Sequence, residues 1–218
     1  MKRFLFFMIL VFVAAQAQAS IVVGSHNGPS CYPFSCFASD GGIVFQQVYD
    51  SSAFSEAFDF NNVSFFLWSD GIMDSATYTI SFSTTSNPVL GLDADYSNNI
   101  GADNVFFGTY SLSGSMPSVL SLAGNMFHYD PLMGNLLMHV VVDFVDSSGN
   151  FPMFWADYFG VSTSILVVDS WGTDNTIGAL VTQFGLTETA VPEPNGIWLL
   201  GLALLGVVCH RKYFSKSS

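Results

Sequence analysis

His139 and Asp143 come nearest to an acid–base pair in type and spacing, within the segment GNLLMHVVVDFV of residues 134–145. Side chains in a strand alternate between two faces, so residues four positions apart share one face. A histidine beside a carboxylate can act as a general base. However, no serine or cysteine has the G-x-S-x-G surroundings that expose a nucleophile, so we expect His139 to be structural.

Glycoside hydrolysis is a second chemistry to weigh, because it requires two carboxyl groups at a set separation. Aspartate is abundant, but glutamate occurs only at Glu56, Glu188 and Glu193. Nothing in the sequence singles out one pair of aspartates. We therefore predict that the protein is not an enzyme, and a glycan-active hydrolase is the least favoured alternative.

The segment LDADYSNNIGADN, residues 92–104, carries oxygen-bearing side chains at alternating positions. This resembles the start of an EF-hand loop, but the glycine at position six and the glutamate at position twelve are missing. Asp93, Asp95 and Asp103 are therefore candidate ligands of an irregular Ca²⁺ loop. The alternative is a turn rich in Asp and Asn, with no cofactor at all.

The segment FWADYFG, residues 154–160, brings Trp155, Asp157 and Tyr158 close together. Aromatic faces combined with hydrogen-bonding side chains suit the binding of neutral sugars. Other aromatic residues could extend such a platform, namely Trp68, Trp171 and Tyr129. The alternative is that these aromatic residues form the core of an all-β domain.

The distribution of charge excludes several classes of partner. All 5 Lys and Arg residues lie near the ends of the chain, whereas all 17 acidic residues lie within residues 20–194. Nucleic-acid and phosphate sites need Lys or Arg, so neither is expected. The carboxylates leave calcium as an option, although acidity also keeps an exported protein soluble.

Residues 1–19, MKRFLFFMILVFVAAQAQA, have the form of a secretory signal peptide. Two basic residues precede an apolar stretch, and Ala17 and Ala19 form a small-x-small cleavage site. We therefore expect cleavage after Ala19, so that the mature chain begins at Ser20.

Val191-Pro192-Glu193-Pro194 precedes a short apolar run and the basic residues Arg211 and Lys212. A helix over residues 197–209 would rise about 20 Å. The hydrocarbon core is about 30 Å thick, so this is a short span, which flanking basic residues can extend. We predict a short transmembrane helix at about 196–212, with the basic residues on the cytoplasmic side.

This C-terminal arrangement resembles the PEP-CTERM sorting signal of Gram-negative bacteria. The resemblance implies a substrate of an exosortase, a membrane protease or transpeptidase, in a setting linked to exopolysaccharide. It also implies that the chain is held transiently in the inner membrane and then passes to the cell surface or outside. Fragments of the body such as QQVYDSSAFS and GADNVFFGTYSLSG resemble segments that recur in this group.

Cys31 and Cys36 lie close together near the start of the expected mature chain. In an oxidising compartment they would form a disulfide that closes a small loop. A metal site is the alternative, but the C-x4-C spacing has no second pair or neighbouring histidine. Cys209 lies in the C-terminal apolar run, out of their reach.

The body, residues 20–188, reads as an all-β domain followed by the sorting signal at 189–218. Short runs rich in Val, Ile, Thr, Tyr and Phe alternate with turn residues, at 42–49, 63–69, 76–83, 105–111, 164–170 and 178–184. In the segment 134–145 the even positions are all apolar, which predicts a strand with one face on a core. About eight to ten such strands favour a β-sandwich of jelly-roll type.

Together these features predict an exported, non-enzymatic surface or extracellular-matrix protein that associates with exopolysaccharide. A carbohydrate-binding module is the first alternative. The expected partners are an exosortase-type protease, the inner membrane before processing, and extracellular polysaccharide.

Overall fold

The computed structural model describes residues 20–36, 43–146, 150–158, 162–168, 172–174 and 178–187. Over these ranges the chain forms strands in two antiparallel sheets, with three short 3-10 turns at Ser51–Ala53, Tyr96–Asn99 and Pro131–Met133. This confirms the predicted all-β sandwich. None of the described residues belongs to a helix long and apolar enough to cross a membrane. The expected helix at 196–212 lies outside the described residues.

The first sheet has seven strands within the described ranges. They are β1 (Ile21–Val23), β2 (Gly28–Ser30), β4 (Phe58–Ser69), β7 (Val119–Tyr129), β9 (Met153–Asp157), β12 (Ala179–Leu180) and β13 (Thr182–Gly185). The long strand β4 lies at its centre and pairs with β7, β9 and β13. The partner of β4 changes from β13 to β9 between Phe65 and Leu67, and the register with β9 shifts between Leu67 and Ser69.

The second sheet has six strands in the order β11-β10-β3-β8-β5-β6 within the described ranges. These are β3 (Ile43–Tyr49), β5 (Ile72–Thr85), β6 (Val105–Ser115), β8 (Asn135–Asp146), β10 (Ser162–Val168) and β11 (Gly172–Asp174). Between β4 and β10 every connection except that from β5 to β6 passes to the other sheet. The two sheets are therefore joined by repeated connections of the chain between them as well as by their shared core.

The core between the sheets is made largely of phenylalanine. Phe60 is fully buried and its ring lies within 6.1 Å of Phe82, Phe107, Phe127 and Phe184. Such edge-to-face and tilted pairs are favourable beyond the area they bury. The core explains why the body can fold without ion pairs to Lys or Arg.

Strand β8 confirms the alternation expected from its sequence. Leu136, Met138, Val140 and Val142 are all fully buried on the core face. Leu137, on the opposite face, is also fully buried because it packs with Leu92 and Ile100 of a long connection. We call this connection, residues 88–104, the strap. It covers part of the outer face of the second sheet.

The Cys31–Cys36 segment forms a closed loop that inserts Phe34 between the two sheets. The structure joins the two cysteines in a disulfide with a Cα–Cα distance of 5.7 Å. The Phe34 ring is fully buried, and its carbonyl accepts a 2.9 Å hydrogen bond from the Tyr78 hydroxyl. Ser35 Oγ donates to the Pro152 carbonyl at 2.9 Å. The loop is thereby tied to β5 of the second sheet and to the residue that precedes β9 of the first.

Candidate functional site

Aromatic side chains meet on the outer face of the first sheet, where β4 and β9 lie side by side. Phe154 and Ala156 of β9 point into the core, so Trp155 between them points outward. Phe65 of β4 likewise points inward, which places Phe66 on the outer face. We call the group formed by His26, Phe66, Trp68 and Trp155 the aromatic cluster.

The rings of the aromatic cluster form a chain of contacts from Phe66 through His26 and Trp155 to Trp68. The His26 ring lies edge-on to Phe66 at 5.6 Å and to Trp155 at 5.1 Å. Trp68 and Trp155 are 6.4 Å apart with an interplanar angle of 86°. Two perpendicular indoles form a corner with a flat wall and a flat floor. Trp68 is 48% exposed, so this corner is open to a ligand.

Asp157 supports the cluster and does not take part in its exposed surface. Its side chain is 2% exposed, and it accepts hydrogen bonds from the Ser25 amide at 3.0 Å and from Asn27 Nδ2 at 2.8 Å. These two residues flank His26, so the carboxylate fixes the turn that carries the imidazole. Of Trp155, Asp157 and Tyr158, only Trp155 belongs to the aromatic cluster. Asp157 contributes by holding the turn on which His26 lies.

Tyr158 lies next to the cluster and is 43% exposed. Its hydroxyl donates to the Pro29 carbonyl at 2.7 Å, and its backbone N–H donates to Asn27 Oδ1 at 2.9 Å. The ring of Tyr158 also covers Gly28, since a Cβ at Gly28 would lie 2.5 Å from a ring carbon. Tyr158 therefore holds β2 against β9.

The three aspartates of the expected calcium loop are not brought together. Asp93 Oδ1 accepts from the Asp95 amide, and Asp95 Oδ1 accepts from the Ser97 amide and hydroxyl. Asp103 instead bonds the Thr84 amide and hydroxyl. No group of three or more potential metal-ligating His, Cys, Asp or Glu side chains occurs in the described part of the chain. Asp93 and Asp95 thus cap turns within the strap, whereas Asp103 joins the strap to β5.

Hydrogen bonds also favour the charged form of the Asp95 carboxyl. The hydroxyl and amide of Ser97 lower the pKa of the Asp95 carboxyl, because both bonds favour the charged form. Its charge is thus already compensated within the turn.

His139 is held by the strap and not by Asp143. Its Nδ1 lies 3.1 Å from Gln46 Nε2, and its ring stacks on Tyr96 at 5.8 Å. Gln46 Oε1 in turn accepts from Asn99 Nδ2 at 2.7 Å. Burial lowers the pKa of His139, which favours the neutral ring. Asp143 lies four residues along the strand, about 14 Å away, so no base–carboxylate pair forms.

Ser20 is exposed and is the first described residue, whereas Ala17 and Ala19 lie outside the described residues. The sorting positions Val191, Pro192, Glu193, Pro194, Arg211 and Lys212 also lie outside, as does Trp171. Tyr129 is fully buried in the core.

Sequence reasoning missed His26 and Phe66, which complete the aromatic cluster. His26 stands alone in a polar segment, so nothing local marks it. Phe66 sits in the run VSFFLWS, where the alternation of β4 does indicate that Phe65 and Phe66 face opposite sides. A strict period-two interpretation of that run would have placed Phe66 outward.

Comparison with known proteins identifies the C-terminal segment. Residues 190–212 match the family model of the PEP-CTERM protein-sorting motif. No curated protein matches the chain, and no solved structure matches it either. The match confirms the resemblance of the C-terminal residues to this signal. The chain therefore carries the sorting motif of an exported protein, which an exosortase directs to the cell surface or the extracellular space.

Proposed function

We propose that this PEP-CTERM-bearing chain is a non-enzymatic surface or matrix protein that associates with extracellular polysaccharide through the aromatic cluster. The sorting motif at residues 190–212 carries the proposal, because it links the chain to export and to an exosortase. The cluster supplies the kind of exposed aromatic surface on which a sugar ring can stack.

Several features support binding without catalysis. Sugar-cleaving sites need a pair of carboxyl groups flanking the scissile bond. Asp157, two residues from Trp155, is buried and occupied by Ser25 and Asn27, whereas Asp70, two residues from Trp68, is exposed. A single exposed carboxylate does not supply the flanking pair. The chemistry that remains at the surface is stacking and hydrogen bonding.

Fractionation of extracellular polysaccharide from the native host tests this function. The host would express the wild-type chain, a Trp68→Ala/Trp155→Ala variant and a Phe106→Ala control, whose side chain is 52% exposed on the other sheet. Wild type and Phe106→Ala should co-purify with the polysaccharide, while the double variant should appear in the free fraction. Equal retention of all three would refute binding through the cluster. New reducing ends released by the wild type would establish a hydrolase instead.

A further inference from the structure

The aromatic cluster is one end of a longer stripe along the outer face of β4. Alternate residues of this strand point outward, namely Asn62, Ser64, Phe66 and, at the register shift, Trp68. Six residues of strand span about 20 Å. The stripe is polar at the Asn62 end and aromatic at the Trp68 end.

The polar end is held in one arrangement by its own hydrogen bonds. Asn62 Oδ1 accepts from Ser64 Oγ at 3.1 Å and from Ser121 Oγ at 3.0 Å. Ser64 Oγ also lies 3.1 Å from Ser121 Oγ. Ser64 is buried, but Ser121 is exposed and Asn62 is half-buried. Asn62 Oδ1 thus accepts the hydrogen bonds from both hydroxyls. The Nδ2 group of the same amide can therefore donate to another acceptor among the described residues or to a ligand.

Strand β7 continues the same division beside β4. Ser121 is the register partner of Ser64, and Val119 is the partner of Phe66. Val119 is 38% exposed. Hydroxyl groups thus lie next to hydroxyl groups and apolar groups next to apolar groups across the two strands.

Charge limits what can lie along the stripe. Asp59 is the second residue of β4 and Asp70 follows its last residue, and no Lys or Arg occurs anywhere in residues 20–194. A polyanion, such as a polyuronate, would therefore be repelled along the whole surface. A second copy of this strongly acidic chain would be repelled for the same reason.

We infer that the stripe binds an extended segment of an uncharged polysaccharide, spanning more than one sugar unit. This rests on the proposed function and assigns it a substrate class. A sugar ring near the reducing or non-reducing end of the segment stacks in the Trp68–Trp155 corner. The next rings pass over Phe66 and Val119, and a hydroxyl-rich edge reaches Asn62 and Ser121.

Titration calorimetry with oligosaccharides of increasing length tests the inference on the mature protein purified from the exported fraction. The probes are uncharged glucans and mannans of one to six units, with oligogalacturonates of the same lengths as anionic counterparts. Affinity for the best uncharged series should rise steadily with length. Oligogalacturonates should bind at least about tenfold more weakly than uncharged chains of equal length.

Variants at the two ends separate the parts of the stripe. Asn62→Ala/Ser121→Ala should weaken the six-unit ligand about five- to tenfold, as expected for lost hydrogen bonds, and leave the two-unit ligand unchanged. Trp68→Ala should weaken both ligands. Ser113→Ala, an exposed serine on β6 of the other sheet, should weaken neither.

Different failures have different meanings. Length-independent binding that only Trp68→Ala removes would overturn the extended stripe while leaving polysaccharide association through the cluster in place. Tighter binding of oligogalacturonates would overturn the uncharged class. Self-association of the protein that Trp68→Ala abolishes would assign the stripe to a second copy. If the wild-type chain also failed to co-purify with native polysaccharide, the proposed function itself would fall.

Discussion

Replacing Phe34 by alanine should be among the most damaging single changes in the body. Phe34 sits on a six-residue disulfide loop outside both sheets, yet its ring is fully buried between them. It lies 4.9 Å from Phe65, 5.3 Å from Tyr78 and 5.2 Å from Phe154. The substitution removes the contact through which the loop joins the core.

The expected cost follows from this burial. Phe→Ala changes in well-packed cores cost about 3–5 kcal/mol, from lost transfer free energy and the cavity left behind. A domain of this size has a free energy of unfolding of about 5–15 kcal/mol. At about 2–4 °C per kcal/mol, the melting temperature should fall by about 6–20 °C. Phe106→Ala, at a half-exposed ring, should cost at most about 0.5 kcal/mol.

Urea unfolding followed by tryptophan fluorescence would measure both variants against the wild type. A thiol assay on each folded variant checks that Cys31 and Cys36 remain paired, so that the comparison isolates the ring. The reasoning is refuted if Phe34→Ala loses less than about 1 kcal/mol, or no more than Phe106→Ala, with the disulfide intact.

Three further expectations concern the disulfide, the strap and cations. Cys31→Ser/Cys36→Ser should lower stability by about 2 kcal/mol in the chain-entropy model for so short a loop, and an unchanged urea midpoint would contradict this. The pKa of His139 is lower in the folded chain than in the unfolded one, so the unfolded state takes up its proton first as the pH falls below about 6.5. Stability conferred by the neutral ring is therefore lost towards acid pH. His139→Gln should flatten this slope between pH 8 and 5; a slope equal to that of the wild type would argue against the strap interpretation. Calcium and sodium chloride at matched ionic strength should raise the melting temperature equally, because the strap aspartates already accept hydrogen bonds from the chain, and a specific calcium effect would restore the metal site.

The sequence predicts the strands well where local pattern decides them. In β8 the alternation of apolar residues with mixed ones is strict, and the core face matches it at Leu136, Met138, Val140 and Val142. Strand β7 went unrecognised because its run SVLSLAGNMFHY contains Gly124 and Asn125, residues typical of turns. In the fold Gly124 is needed because a Cβ there would lie 2.5 Å from the Phe107 carbonyl oxygen.

What the sequence does not predict is set by contacts between distant segments. Leu137 looks like an outward residue and is buried only because the strap crosses it. The aromatic cluster joins residues from positions 26, 66, 68 and 155, on strands or turns that meet only in the final topology. No spacing along the chain can report such a meeting, so the sequence predicts Trp68 and Trp155 as platform residues but not His26 or Phe66.

The most direct test of the account is the intact mass of the protein recovered from washed extracellular polysaccharide of the native host. Removal of the expected signal peptide predicts a chain that begins at Ser20, and sorting by the motif at residues 190–212 predicts one that ends near Val191 to Pro194 and lacks everything from about Asn195 onward. Its recovery from that fraction would also show the association itself. A chain that ends at Ser218, or one found only with the inner membrane, would contradict the account and leave a simple membrane anchor.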